Sequence, residues 1–205
     1  MSLFITIEGG DGCGKTTQAD VLYQKLVSVN SPVIRIAEPG GTPLGDELRS
    51  LLKRKWNGTI APEAELLLFN ASRKQLVTDV ILPALSRGIT VVCDRFSDST
   101  VAYQGYGRML DLAMIDTVNR FATGGLKPDL TILLDMNPSD AIKRKSKKDT
   151  DRFDSDDIAF HNRIRQGFLA LSRKEAGRWV VMKADQPVER ISELIWKEVS
   201  RRLAQ

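Results

Sequence analysis

The residues Gly9-Gly10-Asp11-Gly12-Cys13-Gly14-Lys15-Thr16-Thr17 fit the spacing G-x-x-x-x-G-K-[ST], with Gly9, Gly14, Lys15 and Thr16 at the fixed positions. Glycines let a backbone curl until successive N–H groups point inward, which makes a concavity for phosphate oxygens. Gly10 to Thr17 are therefore the candidate cradle for a nucleotide triphosphate. Lys15 has the reach for the β- and γ-phosphates, and the Thr16 hydroxyl is the right donor for Mg2+. A second pair is Asp94-Arg95. The acid can hold Mg2+ directly or through water, and the guanidinium can clamp another phosphate with two parallel bonds. An ordinary ion pair at a loop start is the plain structural alternative. His161, the only histidine, falls in a predicted helix without an evident partner and reads as structural or surface.

These residues need a frame that sets them at the mouth of a sheet. Leu3-Phe4-Ile5-Thr6-Ile7 is a short run of apolar β-formers and reads as a buried strand. Ala19, Val21, Leu22, Leu26 and Val27 follow at helical spacing, on a helix ending near Asn30. Strand, glycine loop and helix N-terminus form the setting in which the helix dipole and free N–H groups favour an anion. Residues 33–37 read as a second strand, stopped by the turn-forming Glu38-Pro39-Gly40-Gly41-Thr42-Pro43. Residues 44–55 are predicted helical, with Leu44, Leu48, Leu51 and Leu52 on one face. Residues 62–87 are predicted as one long helix, kinked or tightened at Pro83. Residues 89–93 form a third predicted strand, and 97–107 a loop with room for a short helix. Helices over 110–122, from Pro138, over 158–176 and over 188–203 are expected, with strands at 130–135 and 179–182.

Five apolar strands alternating with helices imply a parallel sheet with helices on both faces, an α/β fold in a single domain over residues 1–205. Ligands belong at the carboxyl ends of its strands. Polar residues stand at each of those ends: Asp11 and Lys15, Glu38, Asp94 and Arg95, Asp135, and Asp185.

Bulk composition narrows the class. The chain has 205 residues, enough for one such domain with a full core. No apolar run approaches the ~18–20 residues of a membrane span. The first strand starts at once, which leaves no room for a signal peptide. Cys13 and Cys93 are the only cysteines, so a structural disulfide is not expected and a reducing cytoplasm is. A formal charge of +4 suits an anionic ligand, but the basic residues are dispersed outside one segment and do not argue for nucleic acid.

With these residues in view, the chain resembles the thymidylate kinases, nucleoside monophosphate kinases that phosphorylate dTMP. The matching stretches are Glu8 to Thr17, Glu38-Pro39-Gly40-Gly41-Thr42, Leu48-Arg49, Phe69-Asn70-Ala71-Ser72-Arg73, Asp94-Arg95-Phe96 with Ser99 to Gly105, and Pro128-Asp129-Leu130. The Glu-Pro-Gly-Gly-Thr loop together with Ala102-Tyr103-Gln104-Gly105 is the specific part. The resemblance implies a P-loop NTPase fold, ATP as donor, Mg2+, conversion of dTMP to dTDP in dTTP biosynthesis, and a homodimer through the long helices. It implies that Phe69 stacks on thymine and that Arg73 bonds a base carbonyl. Thr100 and Gln104 face the base, with Glu38 and Pro39 near it. Tyr103 sits against the deoxyribose where a 2′-hydroxyl finds no room. Arg49 and Arg95 hold the dTMP phosphate, and Asp11 faces the acceptor and the metal. No side-chain nucleophile is needed, because the acceptor is itself a phosphate.

Residues 143–157 are the expected lid. Lys143, Arg144, Lys145, Lys147, Lys148 and Arg152 alternate without an apolar stripe, which taken alone describes a solvated face. Some thymidylate kinases carry an arginine in the phosphate loop, where this chain has Gly12. Others have glycine there and bring the basic group from the lid, and this chain resembles the second kind. Arg152 is the candidate for that group, with Lys147 and Lys148 as alternatives in register. Arg144 is expected to stack on adenine, and Asp185-Gln186-Pro187 to line the adenine site. A kinase for another nucleoside monophosphate, such as dUMP, is the neighbouring reading. A nucleotide switch or nucleic-acid-binding ATPase is the reading from another class. It needs a partner-reading surface, and the chain has no basic stripe outside the lid.

Overall fold

The computed structural model describes residues 2–144 and 157–204. Its strands are β1 (Phe4–Glu8), β2 (Val33–Ala37), β3 (Thr90–Asp94), β4 (Leu130–Asp135) and β5 (Trp179–Lys183). All pair in parallel, in the order β2-β3-β1-β4-β5. The expected five-stranded parallel sheet is present. Its strand order puts the phosphate loop on the central strand. The β1–β3 register sets Ile7 opposite Asp94, and the β2–β3 register sets Ala37 opposite the same Asp94. Neighbouring strands lie about 4.8 Å apart, so the loop, Asp94 and Glu38 emerge side by side.

Alternation along the strands divides the core. Leu3, Ile5 and Ile7 share one face with Val92, Leu130, Ile132 and Leu134. Helices α1 (Lys15–Ser28) and α9 (Val188–Leu203) cover that face through Ala19, Leu22, Leu26, Ile191, Ile195 and Val199. Phe4, Val91, Cys93 and Leu133 point to the other face. There α3 (Pro62–Leu76), α4 (Leu82–Ser86) and α8 (Ile158–Lys174) pack. Thr6 and Thr131 also face that side, and their hydroxyls bond each other at 2.9 Å, so neither is left unpaired in the core. The remaining helices are α2 (Pro43–Lys53), α5 (Ser97–Thr100), α6 (Leu112–Thr123) and α7 (Pro138–Arg144).

Four expectations change. Val21 and Val27 of α1 are exposed, and the buried face runs through Lys15, Gln18, Ala19, Leu22 and Leu26 instead. On α2, Leu44 is exposed, and of the four leucines on the expected face only Leu52 is fully buried. The long helix predicted over 62–87 is instead α3, a π segment (Val77–Ile81) and α4 in succession. Pro83 has no N–H for the preceding turn, and the chain widens to π geometry just before it.

The stretch 97–107, read as a loop with room for a short helix, is helical throughout: α5 is that short helix and runs into a second π segment, Val101–Gly107. Its glycines argued against helix on propensity alone. Tertiary packing decides otherwise. A Cβ on Gly107 would come within 2.7 Å of the Phe160 ring of α8, so the close approach of these two elements needs glycine there.

Candidate active site

The phosphate loop joins β1 to α1, and its shape is set by glycine. Gly12 has φ +78°, and a Cβ there would lie 2.2 Å from the Ala141 carbonyl oxygen of α7. Gly12 is therefore a packing requirement as well as a conformational one. It leaves no room for a side chain between the loop and the helix that leads into residues 143–157. Lys15, the first residue of α1, is 6 % exposed and buried rather than poised in solvent. Its burial is within the loop, where Nζ donates to Gly10 O at 2.7 Å. Thr16 Oγ1 donates to Asp94 Oδ2 at 2.6 Å. This joins the first turn of α1 to the end of β3.

Arg95 sits at the centre. Its Nη1 donates to Gly9 O (2.9 Å) and to Ser99 Oγ (3.1 Å). Its Nη2 donates to Asp11 Oδ1 and to Tyr103 Oη (3.0 Å). Burial acts to lower the guanidinium pKa, but the surrounding Tyr103, Asp11, Asp94 and Glu8 oxygens outweigh it and raise it, so the cation is secure. One side chain thus spans the phosphate loop and the segment after β3.

Around these residues lies a cavity of about 660 Å3, of a size that fits nucleotides. Asp11, Gly12, Gly14, Lys15, Thr16, Thr17, Asp94 and Arg95 line one end. Glu38, Pro39, Arg49, Phe69, Arg73, Thr100, Tyr103 and Gln104 line the other. Every residue expected at the acceptor therefore meets in one space. Arg49 Nη1 donates to Pro39 O at 2.7 Å, which ties α2 to the loop after β2. On the donor side, Arg144 also lines the cavity and donates to Ala184 O at 2.9 Å. This brings the end of α7 against the turn that holds Asp185 and Gln186, although those two do not reach the cavity wall. Gly10 and Cys13, expected at the ATP, do not line this cavity but a smaller pocket on the far side of the loop, with Leu134 and Ala141. Cys13 and Cys93 are buried free thiols whose pKa values burial raises. Arg152, Lys147 and Lys148 fall outside the described residues. Asp135, at the end of β4, is held by Arg165 through two bonds of 2.7 and 2.9 Å.

Arg73 reaches the cavity with each nitrogen already engaged. Nε and Nη2 meet Glu38 Oε2, both at 2.8 Å. Nη1 donates to Thr100 Oγ1 (2.8 Å), with Asn70 and Asn119 also in range, and Nη2 donates to Phe96 O (3.2 Å). Arg73 and Glu38 are both almost fully buried. Removing one partner of a buried pair strands the other, at about 3–5 kcal/mol. Arg73→Ala is thus expected to lower unfolding free energy by that order, read from urea denaturation midpoints. A shift under ~1 kcal/mol would show that Glu38 finds other partners.

Sequence reasoning assigned no role to Glu8, although it begins the loop motif. It is fully buried on β1. Its Oε1 accepts from Phe96 N (2.8 Å) and its Oε2 from Ser99 Oγ (2.6 Å). Both contacts fall just after Arg95, whose φ is +73°. Glu8 holds the segment after β3 to the strand that carries the loop. Burial, with the Asp98 charge adding to it, pushes its pKa up to about 8 from an ordinary 4.5. Between those values the unfolded chain has released a proton that the folded chain keeps, so the Glu8 contribution falls as pH rises. The stability difference between the wild type and Glu8→Gln should therefore drift by up to ~1.4 kcal/mol per pH unit across that window. Thermal melts of both proteins from pH 5 to 9 check this, and a flat difference curve would mean that Glu8 is ionised throughout.

A family model described as thymidylate kinase matches residues 7–195. The thymidylate kinase of Dehalococcoides mccartyi strain CBDB1 is 48% identical over 200 residues, spanning 98% of this chain and 96% of that protein. The Deinococcus radiodurans thymidylate kinase is 45% identical over 201 residues, spanning 98% and 97%. Among solved structures, thymidylate kinase from Ehrlichia chaffeensis superposes with a TM-score of 0.78 at 34% identity, over 97% of this chain and 98% of that one.

Proposed function

The chain belongs to the thymidylate kinase family, and we propose that the cavity beside the phosphate loop is where a phosphoryl group passes from ATP, held at that loop, to dTMP, held against the Phe69 wall. It is a nucleoside monophosphate kinase that converts dTMP to dTDP. One observation carries the assignment of roles: Arg95 bonds Gly9 and Asp11 on the donor side and Tyr103 and Ser99 on the acceptor side. A cation so placed holds the acceptor phosphate next to the loop that holds the donor.

The remaining roles follow from position. Lys15 and the loop N–H groups bind the ATP phosphates, and Arg49 joins Arg95 on the dTMP phosphate. Phe69 offers its ring to thymine, an interaction worth ~0.5–1.5 kcal/mol beyond burial. Tyr103, fixed by Arg95, occupies the space beside the sugar. Arg73 and Thr100, braced together, frame the base with Gln104. Arg144 and the turn at Asp185 and Gln186 bound the adenine. Arg152 supplies charge at the transferred group.

Mg2+ fits the donor set. Thr16 Oγ1 and Asp94 Oδ2 converge at the cavity as hard oxygens. Among the described residues no three His, Cys, Asp or Glu cluster as a closed metal cage, as suits an ion that keeps waters and substrate phosphates as ligands. When bound, Mg2+ neutralises charge on the donor phosphates. Positioning and charge neutralisation, not covalent chemistry, provide the rate.

A homodimer through the long helices belongs to the same proposal. It is supported by apolar side chains that stand in solvent on α3 and α6, Leu67 and Phe121, the latter 84 % exposed. No described helix is long and apolar enough to cross a membrane. The substrate assignment is tested by ATP consumption with dTMP, dUMP, dCMP, dGMP and DNA in turn. Turnover led by dTMP is expected. Equal use of several monophosphates, or stimulation by DNA, would overturn it.

A further inference from the structure

Glu65 stands on α3 four residues before Phe69 and eight before Arg73, so the three side chains follow one another along one helix face. Across the cavity, Thr100 and Gln104 have the same four-residue spacing. Two polar rungs join these elements. Arg73 donates to Thr100 Oγ1 at 2.8 Å, and Gln104 Nε2 donates to Glu65 Oε1 at 2.6 Å. Phe69 lies between the rungs along α3.

The second rung has a direction. Gln104 lines the cavity, whereas Glu65 does not and is fully buried behind it. Arg108 Nε forms an ion pair with the same Glu65 oxygen at 3.5 Å. An ionised carboxylate accepts hydrogen bonds and cannot donate. It therefore tolerates only the amide orientation that turns Nε2 toward it. Oε1 is the end of the Gln104 amide left over, and no described residue donates to it.

We propose that Glu65 is a positioning residue for base selection, which fixes the Gln104 amide so that a hydrogen-bond acceptor faces the pyrimidine edge. Thymine and uracil carry an N3–H donor on that edge. Cytosine has a lone pair at N3 and an amine at C4, and so sets an acceptor against Oε1. A site whose buried polar group is left unpaired by the wrong substrate rejects it steeply. The proposal rests on the placement of the base against Gln104 given above.

The test measures kcat and KM for dTMP and for 5-methyl-dCMP, which keeps the methyl group and reverses the hydrogen-bonding edge. The proteins are the wild type, Glu65→Gln, Gln104→Leu and the double variant, each checked for folding by thermal melt. A glutamine at 65 accepts or donates, so the amide of Gln104 is no longer held one way. Glu65→Gln is expected to raise the KM for dTMP with kcat little changed. The preference for dTMP over 5-methyl-dCMP in kcat/KM should fall by about tenfold or more. Gln104→Leu should lower the same preference at least as far, and Glu65→Gln should add nothing in that background. Should the preference survive in folded Glu65→Gln while Gln104→Leu loses it, Glu65 does not set the amide and the proposal fails. Should it survive in Gln104→Leu, the base does not lie against Gln104 and the underlying reading fails with it. If Glu65→Gln does not fold, Glu65→Asp, which keeps the charge but withdraws it from Gln104, must show the same loss of preference, and an unchanged preference overturns the proposal.

Discussion

Lys15→Ala is expected to lower the single-turnover rate of phosphoryl transfer by roughly 10²–10³-fold, the scale of losing one preorganised electrostatic donor. In the structure the ammonium is buried in the loop and bonded to Gly10 O at 2.7 Å. That carbonyl is a placeholder of the same polarity as a phosphate oxygen, so the side chain is already at the site. A group acting on charge that develops during transfer changes kcat more than ground-state binding. The fold should survive, because alanine suits a first helical turn and one loop carbonyl can turn to water. A thermal melt within a few degrees of the wild type, with the rate collapsed, is the expected pair of results. A folded variant with near-normal transfer would remove ATP from the phosphate loop.

Arg152→Ala is expected to slow transfer by a similar ~10²–10³-fold, while the KM for dTMP moves little. Its placement lies outside the described residues, and the expectation comes from Gly12. With φ +78° and a would-be Cβ 2.2 Å from Ala141 O, position 12 cannot carry a side chain as large as arginine. The charge must then come from elsewhere. The packing of Gly12 on α7 puts the loop against the helix that leads directly into the basic run. Arg95 and Arg49 hold the acceptor phosphate in this reading, so ground-state affinity does not depend on Arg152. Lysine at 152 should be a poor substitute, because a flexible ammonium lacks the planar fork. Rapid-quench measurement is the right assay, since lid opening or product release can limit steady-state turnover. If Lys147→Ala or Lys148→Ala collapses the single-turnover rate while Arg152→Ala spares it, the register within the segment is shifted. If all three spare it, charge supplied from this segment is not part of the mechanism.

Much of the site was legible in the chain itself. The phosphate loop depends on nine consecutive residues and the strand and helix at its sides, and local spacing carries that information. The same holds for the five strands, short runs rich in β-formers, and for α9, read at its observed bounds. Misread stretches are those where distant contacts decide. Residues 97–107 are helical because Gly107 lets them lie against α8, which a local reading of glycine opposes. Val21, Val27 and Leu44 fit an apolar stripe yet face out, since the buried side depends on which neighbour arrives.

The carboxylates divide in the same way. Asp11, Glu38 and Asp94 were found because they end strands, where an α/β sheet presents its ligands. Glu8 and Glu65 were assigned no role, being inside elements, where a carboxylate in the sequence looks like any surface charge. Only the fold brings Glu8 to Phe96 and Ser99, about 90 residues away, and Glu65 to Gln104, 39 residues away, behind the cavity wall. Strand order belongs to this second category too. Nothing local says that β3 rather than β2 pairs with β1, yet that pairing sets Asp94 beside Thr16 and Arg95 beside Asp11. The chain by itself determined which residues form the glycine loop between β1 and α1, because a loop's backbone geometry is a short-range property. Tertiary structure decided which residues hold them in place, because a buried charge is tolerated only where its partner is delivered from elsewhere in the chain.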